Sequence, residues 1–267
     1  MIHLSPADHQ IHSVTNFHGL VSTPFNGVIN AICWTRTLTG NFSEIVEQVV
    51  LTENMVVLEE DDLLNLQLSE QGQLAREVLL NDLKLLKAHG ASPTLNVIRC
   101  YDRDDTHPFF PTDVYSFYVF IFSAQAKACF FYLSHRIPIE VLSTGYNRMW
   151  GFHVDRSPVP TDTFLCTYHG APSEILPNEQ ARQKVLVPEI REELKKLYGG
   201  AEEGFESFLS EHFFDLHYQA NPGARPISLG LGHLWRLAID HPESEVVPCV
   251  HRAPEEKNGE RRLLVIC

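Results

Sequence analysis

Positive charge is scarce in this chain. Its 21 Lys and Arg stand against 34 Asp and Glu, a formal net charge of −13. That balance argues against a general affinity for nucleic-acid phosphates or anionic membranes, so neither is expected as a partner. Much of the acid is local, at Glu59, Glu60, Asp61 and Asp62 and at Glu202 and Glu203, where solvated faces are expected. Cys-X-X-Cys pairs are absent. The six cysteines, Cys33, Cys100, Cys129, Cys166, Cys249 and Cys267, sit mostly in apolar runs. They read as buried free thiols in a reducing, cytoplasmic compartment. No apolar run reaches membrane-spanning length; residues 114–122 are interrupted by Ser116 and two tyrosines and suit a strand. The first residues, Met1 to Pro6, lack a basic segment followed by an apolar one, so no secretory signal is expected. No Ser or Cys occupies a nucleophile elbow. Gly230-Leu231-Gly232 lacks the third glycine and the strand–helix context of a dinucleotide fingerprint. Internal repeats and low-complexity linkers are also missing.

What is present is an ordinary globular composition, 44% hydrophobic and 21% charged over 267 residues. One domain is expected over 1–267, of class α+β, with an N-terminal arm and helical layer over 1–92 and a β core over 93–267. His3, His9, His12 and His18 share no helical or strand spacing and read as surface residues. Residues 29–37 suit a strand or an extended arm. Asn41 and Glu44 have capping-box spacing, with Phe42, Ile45, Val46, Val49 and Val50 at helical period behind them. A longer helix is predicted from Ser69 to Gly90, apolar at Leu74, Ala75, Val78, Leu79, Leu85 and Leu86, wet at Arg76, Asp82 and Lys84, with glycine at its end. From about residue 94 the period becomes that of strands: 94–101, 114–123, 128–134, 137–143 and 163–168. The segment 169–187 reads as loop. A helical insertion at about 188–212 starts at Pro188 and pauses at Gly199-Gly200. Strands at 233–239, 246–251 and 262–267 close the chain.

The candidate chemistry lies in Trp150-Gly151-Phe152-His153-Val154-Asp155. In an extended run, residues two apart face the same way, so His153 and Asp155 present an imidazole and a carboxylate together. His251, within an apolar segment, is the candidate third ligand. Two His and one carboxylate on one face of a metal leave open positions, the arrangement of non-heme Fe(II) oxygenases. Arg261 and Arg262 follow at the start of the last strand. A guanidinium fork grips a carboxylate with two hydrogen bonds, and alternation lets only one of the two point inward, with Arg262 preferred. Over roughly residues 145–267 this order of ligands and arginine resembles the 2-oxoglutarate oxygenases. That likeness implies a double-stranded β-helix (a cupin-like jelly roll) for the core. Other pairs carry less. His212 and His217 are five apart and straddle a helix end. His107 and Asp113 flank a Pro-Phe-Phe-Pro loop. Cys249 shares a face with His251 in a regular strand and reads as a packed thiol.

The phrases Phe152-His153-Val154-Asp155, Leu165-Cys166-Thr167-Tyr168-His169-Gly170 and Val250-His251-Arg252-Ala253-Pro254 resemble characteristic phrases of the family called domain of unknown function 1826. Ile29 to Arg36 is similar to its early segment. Ala171-Pro172-Ser173-Glu174 departs from the glycine-threonine-glutamate run of that family, and the resemblance implies no agreed activity. The ligand pattern, with its likeness to the 2-oxoglutarate oxygenases, implies an Fe(II)- and 2-oxoglutarate-dependent dioxygenase acting on a small molecule. His153, Asp155 and His251 would bind the metal, and Arg262 or Arg261 the cosubstrate. A carboxylate ligand favours hydroxylation, desaturation or cyclisation over halogenation. The alternative is a metal-binding jelly-roll protein without turnover, serving zinc handling, since the same donors suit Zn²⁺. Substrate and oligomeric state are not legible.

Overall fold

The computed structural model describes residues 9–51, 55–99, 151–200, 202–254 and 259–267. The strands expected at 114–123, 128–134 and 137–143 lie outside these residues, as do His3, Cys100, Cys129, His107 and Asp113. Taken in chain order, β1 (Ile11–Val14) leads to α1 (Phe17–Ser22), where Asn16 Oδ1 accepts from the Gly19 N–H at 2.8 Å. β2 (Ala31–Trp34) follows, so the segment at 29–37 contains a strand. α2 (Phe42–Gln48) starts after Asn41, but no capping box forms. After β3 (Met55–Leu58) and α3 (Glu60–Asn65) comes α4 (Glu70–Ala88), N-capped by Ser69 and followed by Gly90 at φ 94°. Glu44 spends its carboxylate on that second helix, accepting from the Ser69 N–H and hydroxyl at 2.6 Å each.

β4 (Thr94–Arg99) begins where the period changes. Beyond it come β5 (Phe152–His153), β6 (Asp162–His169), β7 (Glu174–Ile175) and β8 (Ala181–Gln183). Residues 169–187 are therefore not all loop. Two- and three-residue strands are too short to show a period, which is why they read as irregular. The insertion is α5 (Pro188–Tyr198), opened by proline and closed by left-handed Gly199, and α6 (Phe205–Glu211). Then come β9 (His217–Ala220), β10 (Ile227–Ser228), β11 (Leu234–Ala238), β12 (His251–Arg252) and β13 (Arg261–Ile266). The strand expected at 246–251 is thus reduced to His251–Arg252.

These strands form two largely antiparallel sheets. One has the order β1-β2-β11-β6-β13-β4-β3, the other β10-β7-β12-β5-β9-β8. The N-terminal part is more than a helical layer, since β1, β2 and β3 belong to the larger sheet. Alternation then divides the core. Phe164, Cys166, Tyr168, Leu263 and Val265 pack outward against Leu79, Leu83 and Leu86 of α4 and Ile45 and Val46 of α2. The opposite set, Leu165, Leu264, Trp235 and Leu237, packs against Ile175 and Cys249 on the smaller sheet's side. Trp235 is fully buried between the sheets, with its indole N–H donating to the Leu229 carbonyl at 2.8 Å.

Asp82, expected on the wet face of α4, is fully buried. Its carboxylate receives both terminal nitrogens of Arg36, one at 2.6 Å, and the Tyr168 hydroxyl at 2.7 Å. A charge in that position is tolerable because its partners arrive from β6 and from the residues after β2.

Candidate metal centre

β5 lies between β12 and β9 in the smaller sheet. Phe152 and Val154 face away from the larger sheet, packed with Leu176, Leu216 and Val250. Alternation turns His153 and Asp155 to the inner side. His251 is the direct cross-strand partner of His153, and Ile175 flanks it on β7. The backbone after His153 is pinned on both sides. The Val154 N–H donates to the Leu216 carbonyl at 3.0 Å, and the Asp155 carbonyl accepts from the Asp240 N–H at 2.9 Å. Arg156 fastens the same turn, reaching Asp240 and Asp215 at 2.6 Å each.

The three side chains meet. His153 Nε2 is 3.8 Å from Asp155 Oδ1, and His251 Nε2 is 3.6 Å from Asp155 Oδ2. One donor atom from each residue lies within 4.8 Å of the other two, and this is the cluster of its kind found among the described residues. A cation held at roughly 2.0–2.2 Å by its ligands needs donor atoms about 3–3.6 Å apart. The set is wider than that, so a cation would draw the three side chains inward. Both histidines are prepared for the role. Nδ1 of His153 lies 3.1 Å from the Gly151 carbonyl, and Nδ1 of His251 lies 3.2 Å from the Cys249 carbonyl. A carbonyl can only accept, so each Nδ1 carries the proton and each Nε2 offers its lone pair to the centre. Asp155 Oδ2 accepts from the Thr163 hydroxyl at 2.6 Å, which holds the carboxylate in place.

All three residues are between 6% and 8% exposed. Burial, helped by the His251 imidazole beside it, pushes the His153 pKa well below the ordinary histidine value. The neutral ring is the ligating form. Cys249 is fully buried in the core between the sheets. Burial and the neighbouring Asp155 raise its thiol pKa, and its sulfur lies outside the set of converging donor atoms.

The two arginines separate as strand alternation requires. Arg262 is 3% exposed and faces inward, its Nε donating to the Ala171 carbonyl at 2.8 Å and a terminal nitrogen to Ser173 Oγ at 3.1 Å. Arg261 turns to the helix side and donates to the Val46 and Val49 carbonyls at the end of α2. Gly170 stands against this pair at φ 81°, and a Cβ there would meet the Arg261 carbonyl oxygen at 2.5 Å. Arg252 is engaged away from the centre, with Glu174 at 2.7 Å and over the Phe152 ring. His9, His12 and His18 are exposed, as expected.

His217, five residues from His212 across a helix end, carries no site signal in its sequence neighbourhood. Its position after a helix hides the fact that it opens β9, in register with His153. Burial and the nearby Lys184 hold its pKa down to about 4. Comparison with family models, with curated proteins and with solved structures gives no match.

Proposed function

We propose that the protein is a non-heme Fe(II)- and 2-oxoglutarate-dependent oxygenase acting on a small molecule. The observation that carries this reading is the convergence of His153, Asp155 and His251, with each histidine's Nδ1 committed to a backbone carbonyl. Two imidazoles and one carboxylate on a single side of a cation leave the other side open for exchangeable ligands. Two facing sheets with the ligands on an inner face suit a jelly-roll core, which is part of the proposal. Bound iron with a keto acid would supply activation of dioxygen and oxidation of a substrate C–H bond. The chain's own residues do the rest. Thr163 orients Asp155, the two carbonyls fix the imidazoles, and the core between the sheets keeps bulk water away. Arg262, inward and buried, is assigned to the distal carboxylate of the keto acid, where a charge-assisted pair has its greatest value.

Anaerobic addition of 2-oxoglutarate to the Fe(II)-loaded protein tests this. The expected result is a weak visible charge-transfer band. It should be absent in His153→Ala and need far more 2-oxoglutarate in Arg262→Ala, with Arg261→Ala unchanged. Metal uptake without any band, at any concentration of keto acid, would overturn the oxygenase reading and leave metal binding alone, with zinc as the natural ion for these donors.

A further inference from the structure

The inner face of the smaller sheet carries an in-register row. Crossing the strands β7, β12, β5 and β9, the row reads Ile175, His251, His153, His217. Residues paired in this way present side chains on one face, about 5 Å apart at their Cβ atoms. The outward partners confirm the phase, since Phe152 and Tyr218 are also paired and both pack in the outer cluster. His217 therefore faces the same space as the metal-ligand candidates, one strand beyond His153. It lies outside the set whose donor atoms converge. An imidazole one strand away from a ligand is badly placed to bind the same cation, but well placed to reach something bound to that cation.

The two flanks of the centre also differ. On the β7 side stand Ser173 and Ile175, and Arg262 is anchored to Ser173. On the β9 side stands His217, and Lys184 follows directly after β8, which pairs with β9. If Arg262 takes the keto acid, the β9 flank is what remains for a second ligand. The His217 backbone N–H donates to the Phe214 carbonyl, while its ring makes no hydrogen bond among the described residues; a neutral imidazole offers both a donor and an acceptor. Lys184 and Asp215 both stand near His217, and the Asp215 carboxylate is taken up by Arg156, so the flank can receive an anionic or oxygen-rich group.

We infer that His217 is a ligand-positioning residue, whose ring N–H donates to the exogenous group occupying the open metal position on the β9 side. This rests on the metal reading above. It places the substrate's entry on the side of β9 and β8 and gives the substrate a lone-pair-bearing or anionic group near its reacting carbon.

Azide binding to the Co(II)-loaded protein tests the inference, with the visible Co(II) spectrum as the readout. Wild type, His217→Phe and His217→Gln should each take up one Co(II) with similar affinity. Azide should bind His217→Phe about ten-fold or more weakly, as loss of a hydrogen bond to a charged acceptor implies, while His217→Gln keeps a donor and stays within about three-fold of wild type. Equal azide affinity in wild type and His217→Phe would overturn the inference while sparing the metal site. Failure of the wild type to bind Co(II) would sink both. Should His217→Phe not fold, proton NMR of wild-type Co(II) protein decides. The shifted His217 N–H signal, identified by its loss in His217→Gln, should move on azide addition; a signal indifferent to azide would refute the role.

Discussion

His251 stands directly opposite His153 across the antiparallel pair β12 and β5, their rings 4.5 Å apart and inclined by 55°. Each Nε2 addresses a different oxygen of Asp155. The carboxylate thus sits between two rings that come from distant parts of the chain, and both rings have their other nitrogen already occupied. Such a pair costs stability to bring together without a cation, because three polar groups lose water at once.

A bound divalent ion should therefore raise the melting temperature. At a free metal concentration of 100 times Kd the added stability is about 2.7 kcal/mol. Thermal unfolding with and without metal checks this. His153→Ala and His251→Ala should abolish the metal-dependent shift while remaining folded. A shift that survives in both would place the ion elsewhere.

The Thr163 hydroxyl reaches the centre through Asp155, donating to Oδ2 at 2.6 Å. Removing such support lowers metal affinity by about 10–100-fold in other sites. Thr163→Val should fall in that range by competition with a chelating indicator, and Thr163→Ser should recover most of the loss. Equal affinity in Thr163→Val and wild type would contradict the orienting role.

The metal-free protein should lose stability on mild acidification. His153 and His217 are held below their ordinary value of 6.5, His217 down to about 4. Between these limits the unfolded chain binds protons that the folded chain does not, so stability rises with pH across that window. The contribution is complete above about pH 6.5 and is lost as the pH falls toward 4, at up to about 1.4 kcal/mol per pH unit for each group. Denaturant melts from pH 7 to pH 4.5 should show a shallower dependence in His217→Gln than in wild type. Identical slopes would mean that His217 titrates normally in the folded state.

Asp82 is the buried anion of the helix side, bound by Arg36 and Tyr168. Asp82→Ala strands the Arg36 guanidinium in the core and should cost about 3–5 kcal/mol. Equilibrium unfolding in urea measures it. A loss below about 1 kcal/mol would show that water or another group takes over the arginine, contrary to an essential buried pair. Metal affinity should change little, because this network lies on the opposite face of the larger sheet.

The sequence alone determined what depends on near neighbours. The facing of His153 and Asp155 follows from two-residue alternation, and the limits of α4 and α5 follow from Ser69, Gly90, Pro188 and Gly199, whose effects act within a turn of the backbone. Residues within one strand also divide Arg261 from Arg262, but which of them points inward depends on β13 having helices on one side and the second sheet on the other. Tertiary structure decided the remainder. Glu44 has capping-box spacing from Asn41, yet Ser69 comes close enough to claim its carboxylate. Asp82 looks like a surface residue until Arg36 and Tyr168 arrive to neutralise it. β7, β8 and β12 are too short to carry a pattern, and they exist because neighbouring strands supply their hydrogen bonds. His217 joins the row of His153 and His251 for the same reason: the register between β9 and β5 is set by backbone pairing across a long separation, and no local spacing encodes it.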